Sequence, residues 1–184
     1  MVMEDLKDPH NISAVIRTSE IFGLQDVHII EEVNPYNVSK SILCGSIKWL
    51  NIFKHSLRLD CMNHLRKSGY QIAVASSQKG VPLDEMDLSK PTAFYLGSES
   101  LGNHPETLKA ADVQFRIPQF GFTESMNVSV CAGVLMSTLA SYMKRHGREN
   151  FLLSEAEKLK LKADYFERSS VGFEQNSPIT KMES

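Results

Sequence analysis

The most informative stretch of the sequence runs from Ile117 to Ser129 and reads IPQFGFTESMNVS. A short apolar strand ends at Pro118, a polar loop with one glycine follows, and the loop opens directly onto a helical pattern. The first backbone N–H groups of a helix have no partners within the helix, so at such a junction they are available to a ligand. The stretch therefore predicts a small-ligand site near Ser125 and Asn127.

Short apolar runs alternate with helical patterns along the rest of the chain. The predicted strands are Asp26–Ile30, Asn51–His55, Gln71–Ala75, Thr92–Leu96 and Val113–Ile117. The predicted helices are about Asn11–Phe22, Leu57–Ser68, Pro105–Ala111 and Asn127–His146. A further strand has room only within Val2–Leu6. Such alternation is typical of an α/β domain with a mostly parallel sheet and helices on both faces.

The domain organisation predicted from the sequence has three parts. Residues 1–148 form the main domain, which is long enough to bury a sizeable core. Residues 149–170 form a C-terminal helix, because Ser154 and Glu157 have the spacing of a capping box. Residues 171–184 are polar and are predicted to be a flexible tail.

Composition excludes several classes of protein. Hydrophobic residues make up 42% of the chain, but no run of about 18 apolar residues occurs, so we expect no membrane span. The N-terminus has no basic region followed by an apolar core, and the three cysteines contain no Cys-x-x-Cys pair. These features indicate a protein of the reducing cytoplasm.

Charge and histidine spacing bear on partners. The net charge is −2, so any contact with RNA must be local. Residues 144–148 (KRHGR) are the best basic cluster, although the same cluster is typical of a helix C-terminus that complements its own dipole. His104 and His146 are isolated, and His55 and His64 lie on separate predicted elements. We therefore expect no bound metal.

A second polar segment, Asp8–Arg17, follows the first predicted strand. Asn11 stands at the predicted start of a helix, where an N-cap role explains it as well as a functional one. Arg17 projects away from the apolar stripe of that helix, so it is available to a ligand. The alternative is that Arg17 is simply solvated.

A third polar segment, Leu96–Gly102, reads LGSESLG. Its glycines permit a tight turn and the close approach of a ligand. It differs from the dinucleotide fingerprint because Glu99 stands where the middle glycine would be. A carboxylate repels a pyrophosphate but suits a positively charged cofactor such as S-adenosylmethionine. The alternative is a plain strand–turn–helix connection with a solvated Glu99.

Together, the three segments resemble the SPOUT superfamily of methyltransferases, and specifically its TrmH-like branch of RNA ribose 2′-O-methyltransferases. Within that branch the resemblance is closest to the enzymes that modify a tRNA guanosine. It covers roughly Asp5 to Arg148, and the segment Gly45–Trp49 also fits. The residues that carry it are Asn11, Ala14, Arg17, Gly97, Glu99, Gly102, Ile117, Pro118, Gly121, Ser125, Asn127, Val128 and Ser129.

The resemblance implies a trefoil knot in the C-terminal part of the α/β fold, a homodimer, S-adenosylmethionine as cofactor, no metal, and RNA, above all tRNA, as partner. The catalytic residues it implies are Arg17, Asn11, Glu99, Ser125 and Asn127. The cofactor-binding residues it implies are Ala75, Leu96, Gly97, Glu99, Gly102, Ile117, Pro118 and Met126. Met126 replaces the leucine usual in the family, a change that an apolar contact tolerates.

The implied reaction moves a methyl group to a ribose 2′-hydroxyl, with a guanosine of the tRNA D-loop as the expected target. The family pattern assigns activation of that hydroxyl to Arg17. Because a guanidinium holds its proton tightly, we expect Arg17 to bind the adjacent phosphate and position the hydroxyl. The proton then passes to phosphate or water.

Several alternatives remain open at this stage. Within the same reaction class they are ribosomal RNA and the tRNA wobble ribose. Outside it they are a non-catalytic RNA-binding homologue and, with less support, a nicotinamide-dependent dehydrogenase. Relatives that act on tRNA carry a helix before the first motif, and we expect its absence from this sequence to alter RNA binding.

Overall fold

The computed structural model describes residues 1–77, 79–147, 151–170 and 179–181. Its strands are β1 (Val2–Glu4), β2 (Asp26–Ile30), β3 (Asn51–His55), β4 (Gln71–Ala75), β5 (Val81–Pro82), β6 (Thr92–Leu96), β7 (Val113–Arg116) and β8 (Ile179–Lys181). They form one sheet in the order β5-β7-β4-β6-β1-β2-β3-β8, and every pair is parallel. The short first strand therefore lies in the middle of the sheet.

Helices connect the strands. They are α1 (Pro9–Ile21), α2 (Lys40–Leu43), α3 (Arg58–Lys67), α4 (Pro105–Ala110), α5 (Val128–Arg145) and α6 (Glu155–Ser170). A short 3-10 turn, Ser46–Trp49, precedes β3. Among the described residues, no helix is long and apolar enough to cross a membrane.

Hydrophobic cores lie on both faces of the sheet, because neighbouring strand residues point to opposite sides. Met3 and Ile29 pack on the face covered by α1 and α5. Their neighbours Val2 and Ile30 pack on the other face, with Cys61, Met62 and Leu65 of α3. The predicted α/β architecture with a parallel sheet and helices on both faces is confirmed.

The predicted elements agree closely with the observed ones. Four predicted strands have the observed bounds of β2, β3, β4 and β6, and the fifth ends one residue earlier, at Arg116. The long helix α5 begins after Asn127 and ends before His146, which are its two cap residues. The sequence did not predict α2, β5 or β8, because two to four residues carry no readable periodicity.

The start of α1 corrects one sequence-based interpretation. Asp8 caps the helix, since its Oδ1 accepts from the backbone N of His10 at 2.8 Å, and Pro9 occupies the first helical position. The helix therefore begins two residues before the predicted start, and the N-cap role considered for Asn11 is wrong. The Asn11 side chain can make other contacts.

The C-terminal helix α6 is confirmed from Glu155 onward. Glu157 Oε2 accepts from the backbone N of Ser154 at 2.8 Å, and Ser154 Oγ accepts from the backbone N of Glu157 at 3.3 Å, which is the predicted capping box. The hydroxyl of Tyr165 donates to Gln25 Oε1 at 2.9 Å and ties α6 to the main domain. Of the predicted tail, 171–178 and 182–184 lie outside the described residues, and 179–181 forms β8.

Candidate active site

A cavity of about 360 Å³ lies at the carboxyl ends of β4, β6 and β7. Ala75 lines it from the end of β4, Leu96 lines it from the end of β6, and Ile117 and Met126 line it from the segment after β7. Ligands of open α/β sheets bind at this edge. The volume and the mixture of apolar and polar walls are those of a small-molecule site.

The segment after β6 forms a tight loop that requires glycine. The backbone N of Ser98 donates to the carbonyl of Gly102 at 3.1 Å, and the backbone N of Gly102 donates to the carbonyl of Ser98 at 2.8 Å. A Cβ on Gly97 would lie 2.2 Å from the backbone N of Asn103, so no side chain fits there. Gly102 has a φ of +70°, which favours glycine. The loop thereby folds back against β6 with Glu99 between its two ends.

Asn103 holds the exit of this loop against β4. Its Nδ2 donates to the carbonyl of Ala75 at 2.8 Å, and only 5% of the residue is exposed. Asn103 also lines the cavity. The sequence does not single it out, because an asparagine after a glycine is equally typical of any turn.

A chain of hydrogen bonds joins the three polar segments. Asn11 Nδ2 donates to Glu99 Oε1, and Asn127 Nδ2 donates to Asn11 Oδ1 at 3.1 Å. The Oδ1 of Asn127 accepts from the backbone N of Ser129 at 2.9 Å, which makes Asn127 the N-cap of α5. Asn11 therefore connects one loop of the cavity to the helix that begins beside the other.

The charges around the cavity favour a cationic ligand. Glu99 and Glu124 both line it. Arg116 also lines it, and its Nε donates to the carbonyl of Gly80 at 3.2 Å. Two carboxylates and one guanidinium give these lining residues a net negative charge. That charge disfavours a pyrophosphate and is compatible with an ammonium or sulfonium group.

Arg17 lies apart from this cavity. It is exposed on α1, on the side away from the buried Ile12, Val15 and Ile16, as the helical periodicity predicts. Its Nη1 donates to the carbonyl of Ile42 at 3.4 Å, which is a long hydrogen bond. Arg17 is not among the residues that line the cavity of its own chain.

Comparison with known proteins identifies the family. Residues 1–137 match the model of the SpoU rRNA Methylase family. The chain belongs to this family. It is 36% identical over 166 residues to the tRNA (guanosine(18)-2′-O)-methyltransferase of Borreliella burgdorferi, and the match covers 90% of this chain and 76% of that relative. The corresponding enzyme of Escherichia coli K12 is 34% identical, over 86% of this chain and 71% of its own length.

A solved structure of the SpoU family has the same fold. The A. aeolicus TrmH/SpoU tRNA modifying enzyme superposes with a TM-score of 0.80 at 29% sequence identity, over 93% of this chain and 88% of that chain. The resemblance to TrmH-like enzymes that the three polar segments predict is confirmed.

The structure of this SpoU family chain brings most of the predicted site residues to one place. Of the predicted cofactor-binding residues, those that line the cavity are Ala75, Leu96, Gly97, Glu99, Gly102, Ile117 and Met126. Pro118 is not among the lining residues, whereas Ser125 is. The roles of all these residues in binding and catalysis stay predictions.

The basic cluster at the end of α5 is described only in part. Lys144 and Arg145 lie in the last turn of the helix, where positive charge complements the helix dipole. Arg148 lies outside the described residues.

A buried group of polar residues lies on the opposite face of the sheet from α1. His28 Nδ1 and His55 Nε2 are 3.0 Å apart, and Cys61 offers a sulfur within 4.8 Å of both. Burial lowers the pKa of His28 to about 3 and that of His55 to about 4, so both imidazoles are neutral at pH 7. Spacing in the sequence did not reveal this group, because adjacent strands bring it together. The absence of a bound metal stays a prediction.

Proposed function

We propose that this chain transfers a methyl group from S-adenosylmethionine to the 2′-hydroxyl of a guanosine ribose in tRNA. The observation that carries the proposal is the hydrogen-bonded chain Glu99–Asn11–Asn127 beside the cavity, which unites three segments distant in sequence. The names of the Borreliella burgdorferi and Escherichia coli relatives support the same reaction and the same substrate.

The residues around the cavity fit S-adenosylmethionine. Leu96, Ile117 and Met126 offer apolar contacts to an adenine ring, and the loop from Gly97 to Gly102 offers backbone groups. Glu99 supplies a carboxylate where a ligand with a sulfonium and an ammonium group carries positive charge. When bound, this cofactor supplies an electrophilic methyl group.

We propose that Arg17 holds the RNA for this reaction. A guanidinium binds a phosphate through two parallel hydrogen bonds, and it does not give up its proton near neutral pH. Arg17 would fix the ribose by the phosphate beside it, and the 2′-hydroxyl proton would pass to phosphate or water. Asn11 and Asn127 would act by holding the Glu99 loop and the start of α5 in register.

Exposed aromatic side chains beside the site are compatible with RNA. Phe120 and Phe122 are 99% and 108% exposed, and they lie in the loop that leads to Ser125. Proteins recognise unpaired RNA bases by stacking them on aromatic rings. We propose that these two rings face the RNA.

We further propose a homodimer with a C-terminal trefoil knot that works in the cytoplasm, where tRNA is modified. Large apolar side chains exposed on α1 and α5 support the dimer, and they are Ile21, Phe22, Val130 and Val134. Arg17 also lies on α1 and does not line the cavity of its own chain, and we propose that the dimer places it at the cavity of the second copy.

Arg17 variants test this assignment. We expect Arg17→Ala to lower methyl transfer to tRNA by about 100-fold or more, as lost positioning does, and to leave the affinity for S-adenosylmethionine unchanged in calorimetry. Arg17→Lys is the matched control, since it keeps the charge but loses the paired hydrogen bonds, and we expect partial activity. Wild-type turnover by Arg17→Ala would contradict the role given to this residue.

A further inference from the structure

The loop that lines the cavity after β6 is anchored at its exit by a buried carboxylate from the central strand. Glu4 ends β1, and only 2% of it is exposed. Its Oε2 accepts from the backbone N of His104 at 3.2 Å, and its Oε1 accepts from the hydroxyl of Thr107 at 2.6 Å. His104 follows Asn103, where the loop ends and α4 begins.

The guanidinium of Arg58 lies beside this carboxylate. Its Nε lies 3.3 Å from Glu4 Oε1, and its Nη1 lies 3.2 Å from Glu32 Oε1 and 3.4 Å from Glu106 Oε2. Arg58 is itself only 8% exposed. Both oxygens of the buried Glu4 carboxylate accept hydrogen bonds, and a guanidinium lies beside it. Its position is therefore fixed, because moving it would leave a buried charge without partners.

Glu4 lies in the sheet beside the strand residue from which the cavity loop starts. In the sheet, Met3 pairs with Leu96, so Glu4 stands level with the residue where the loop leaves β6. The loop is thus held at three places. Its start continues from a strand of the sheet, the backbones of Ser98 and Gly102 pair across it, and Glu4 binds the residue after its last one. Glu4 does not line the cavity.

We propose that Glu4 is a positioning residue for cofactor binding, which it serves through Thr107 and His104 by fixing the exit of the Gly97–Asn103 loop. The inference rests on the proposed function, since it assigns the cofactor to the cavity beside that loop. These contacts of Glu4 contribute to the affinity for S-adenosylmethionine and do not affect the binding of tRNA.

Thr107 allows the cleanest test, because it has two nearly isosteric replacements. Thr107→Val keeps the shape and removes the donor to Glu4, whereas Thr107→Ser keeps the donor. We expect Thr107→Val to weaken binding of S-adenosylmethionine, measured by calorimetry on the full chain, by about tenfold, which corresponds to about 1.4 kcal/mol. Thr107→Ser retains the affinity of the wild type.

Glu4→Gln provides a second variant, because the two donors reach different oxygens of Glu4 and the amide keeps an oxygen at only one of these positions. We expect a higher Kd and KM for S-adenosylmethionine with an unchanged KM for tRNA. Arg66→Gln is the matched control. Arg66 also joins α3 to the region after α4, through an ion pair of 2.8 Å with Asp112, but at the opposite end of α4 from the loop exit. We expect it to lower the melting temperature and to leave the Kd for S-adenosylmethionine unchanged.

The outcomes separate the proposal from a purely structural role and from the proposed function. A Thr107→Val protein that melts at a lower temperature but binds S-adenosylmethionine like the wild type would overturn the positioning role. Equal weakening by Arg66→Gln would overturn it too, since general loosening would then explain the result. If the wild type binds no S-adenosylmethionine, the proposed function itself fails, and the inference fails with it.

Discussion

The hydrogen-bonded chain through Asn11 can be tested by replacing the donor of Asn11 with an acceptor. Asn11→Asp removes the donor to Glu99 and sets a second carboxylate against it, while Asn127 keeps an acceptor. Loss of a charge-assisted hydrogen bond costs about 1.5–3 kcal/mol. Repulsion between two charges at 4 Å adds about 1 kcal/mol in water and about 4 at an effective dielectric of 20.

Because Glu99 and Asn127 are exposed, the lower ends of these ranges apply, and together they give roughly 2.5–3 kcal/mol. We therefore expect Asn11→Asp to lower kcat/KM for methyl transfer by about 100-fold. The assay is incorporation of labelled methyl from S-adenosylmethionine into an unmodified tRNA transcript.

The double variant Asn11→Asp, Glu99→Gln restores the pattern of donors and acceptors, with the negative charge moved from position 99 to position 11. Asp at position 11 would accept from both the new glutamine and Asn127. We expect the double variant to regain at least about tenfold of the lost activity, a coupling of roughly 1.4 kcal/mol. A double variant no better than Asn11→Asp alone would refute the view that Asn11 acts by holding the Glu99 loop.

Three further predictions concern the rest of the molecule. Gly97→Ala places a Cβ against the backbone of Asn103, so we expect loss of S-adenosylmethionine binding in calorimetry, and retained binding would contradict the loop geometry. The pKa values of His28 and His55 are lowered to about 3 and about 4, so the unfolded state binds more protons below pH 6.5. Stability should therefore fall from pH 7 to pH 5 by roughly 2 kcal/mol per histidine. His28→Gln should make the pH dependence in urea unfolding less steep, and an equal slope in that variant would rule out His28 as a source of it. Arg168→Ala removes a 2.7 Å hydrogen bond to Asn51, so limited proteolysis should cut α6 faster than in the wild type, and equal rates would show that this contact does not hold the helix.

The sequence predicted those parts of the fold and site that depend on local periodicity. The strands β2, β3, β4 and β6 are long enough for their apolar runs to be read directly. The exposure of Arg17 followed from its place on a helix whose opposite face is apolar. The loop after Leu96 is a weak motif by itself, and it was recognised only together with the other two polar segments, through their resemblance to TrmH-like enzymes.

Contacts between distant segments could not be predicted in the same way. Asn11 and Asn127 are 116 residues apart, and only the parallel order of the sheet brings them together. The role of Asp8 as helix cap was missed because Asn11 is an equally good capping residue. Glu4 gave no signal, since an acidic residue at the end of a short strand is ordinarily a surface group.

The proposed methyl transfer to a guanosine ribose in tRNA is tested most directly by locating the transferred methyl group. Wild-type protein is incubated with labelled S-adenosylmethionine and with unmodified tRNA and ribosomal RNA, and the labelled nucleotide is then mapped. We expect label in tRNA, on the ribose 2′-oxygen of a D-loop guanosine. Label on a base, label confined to ribosomal RNA, or no label while the cofactor still binds would contradict it.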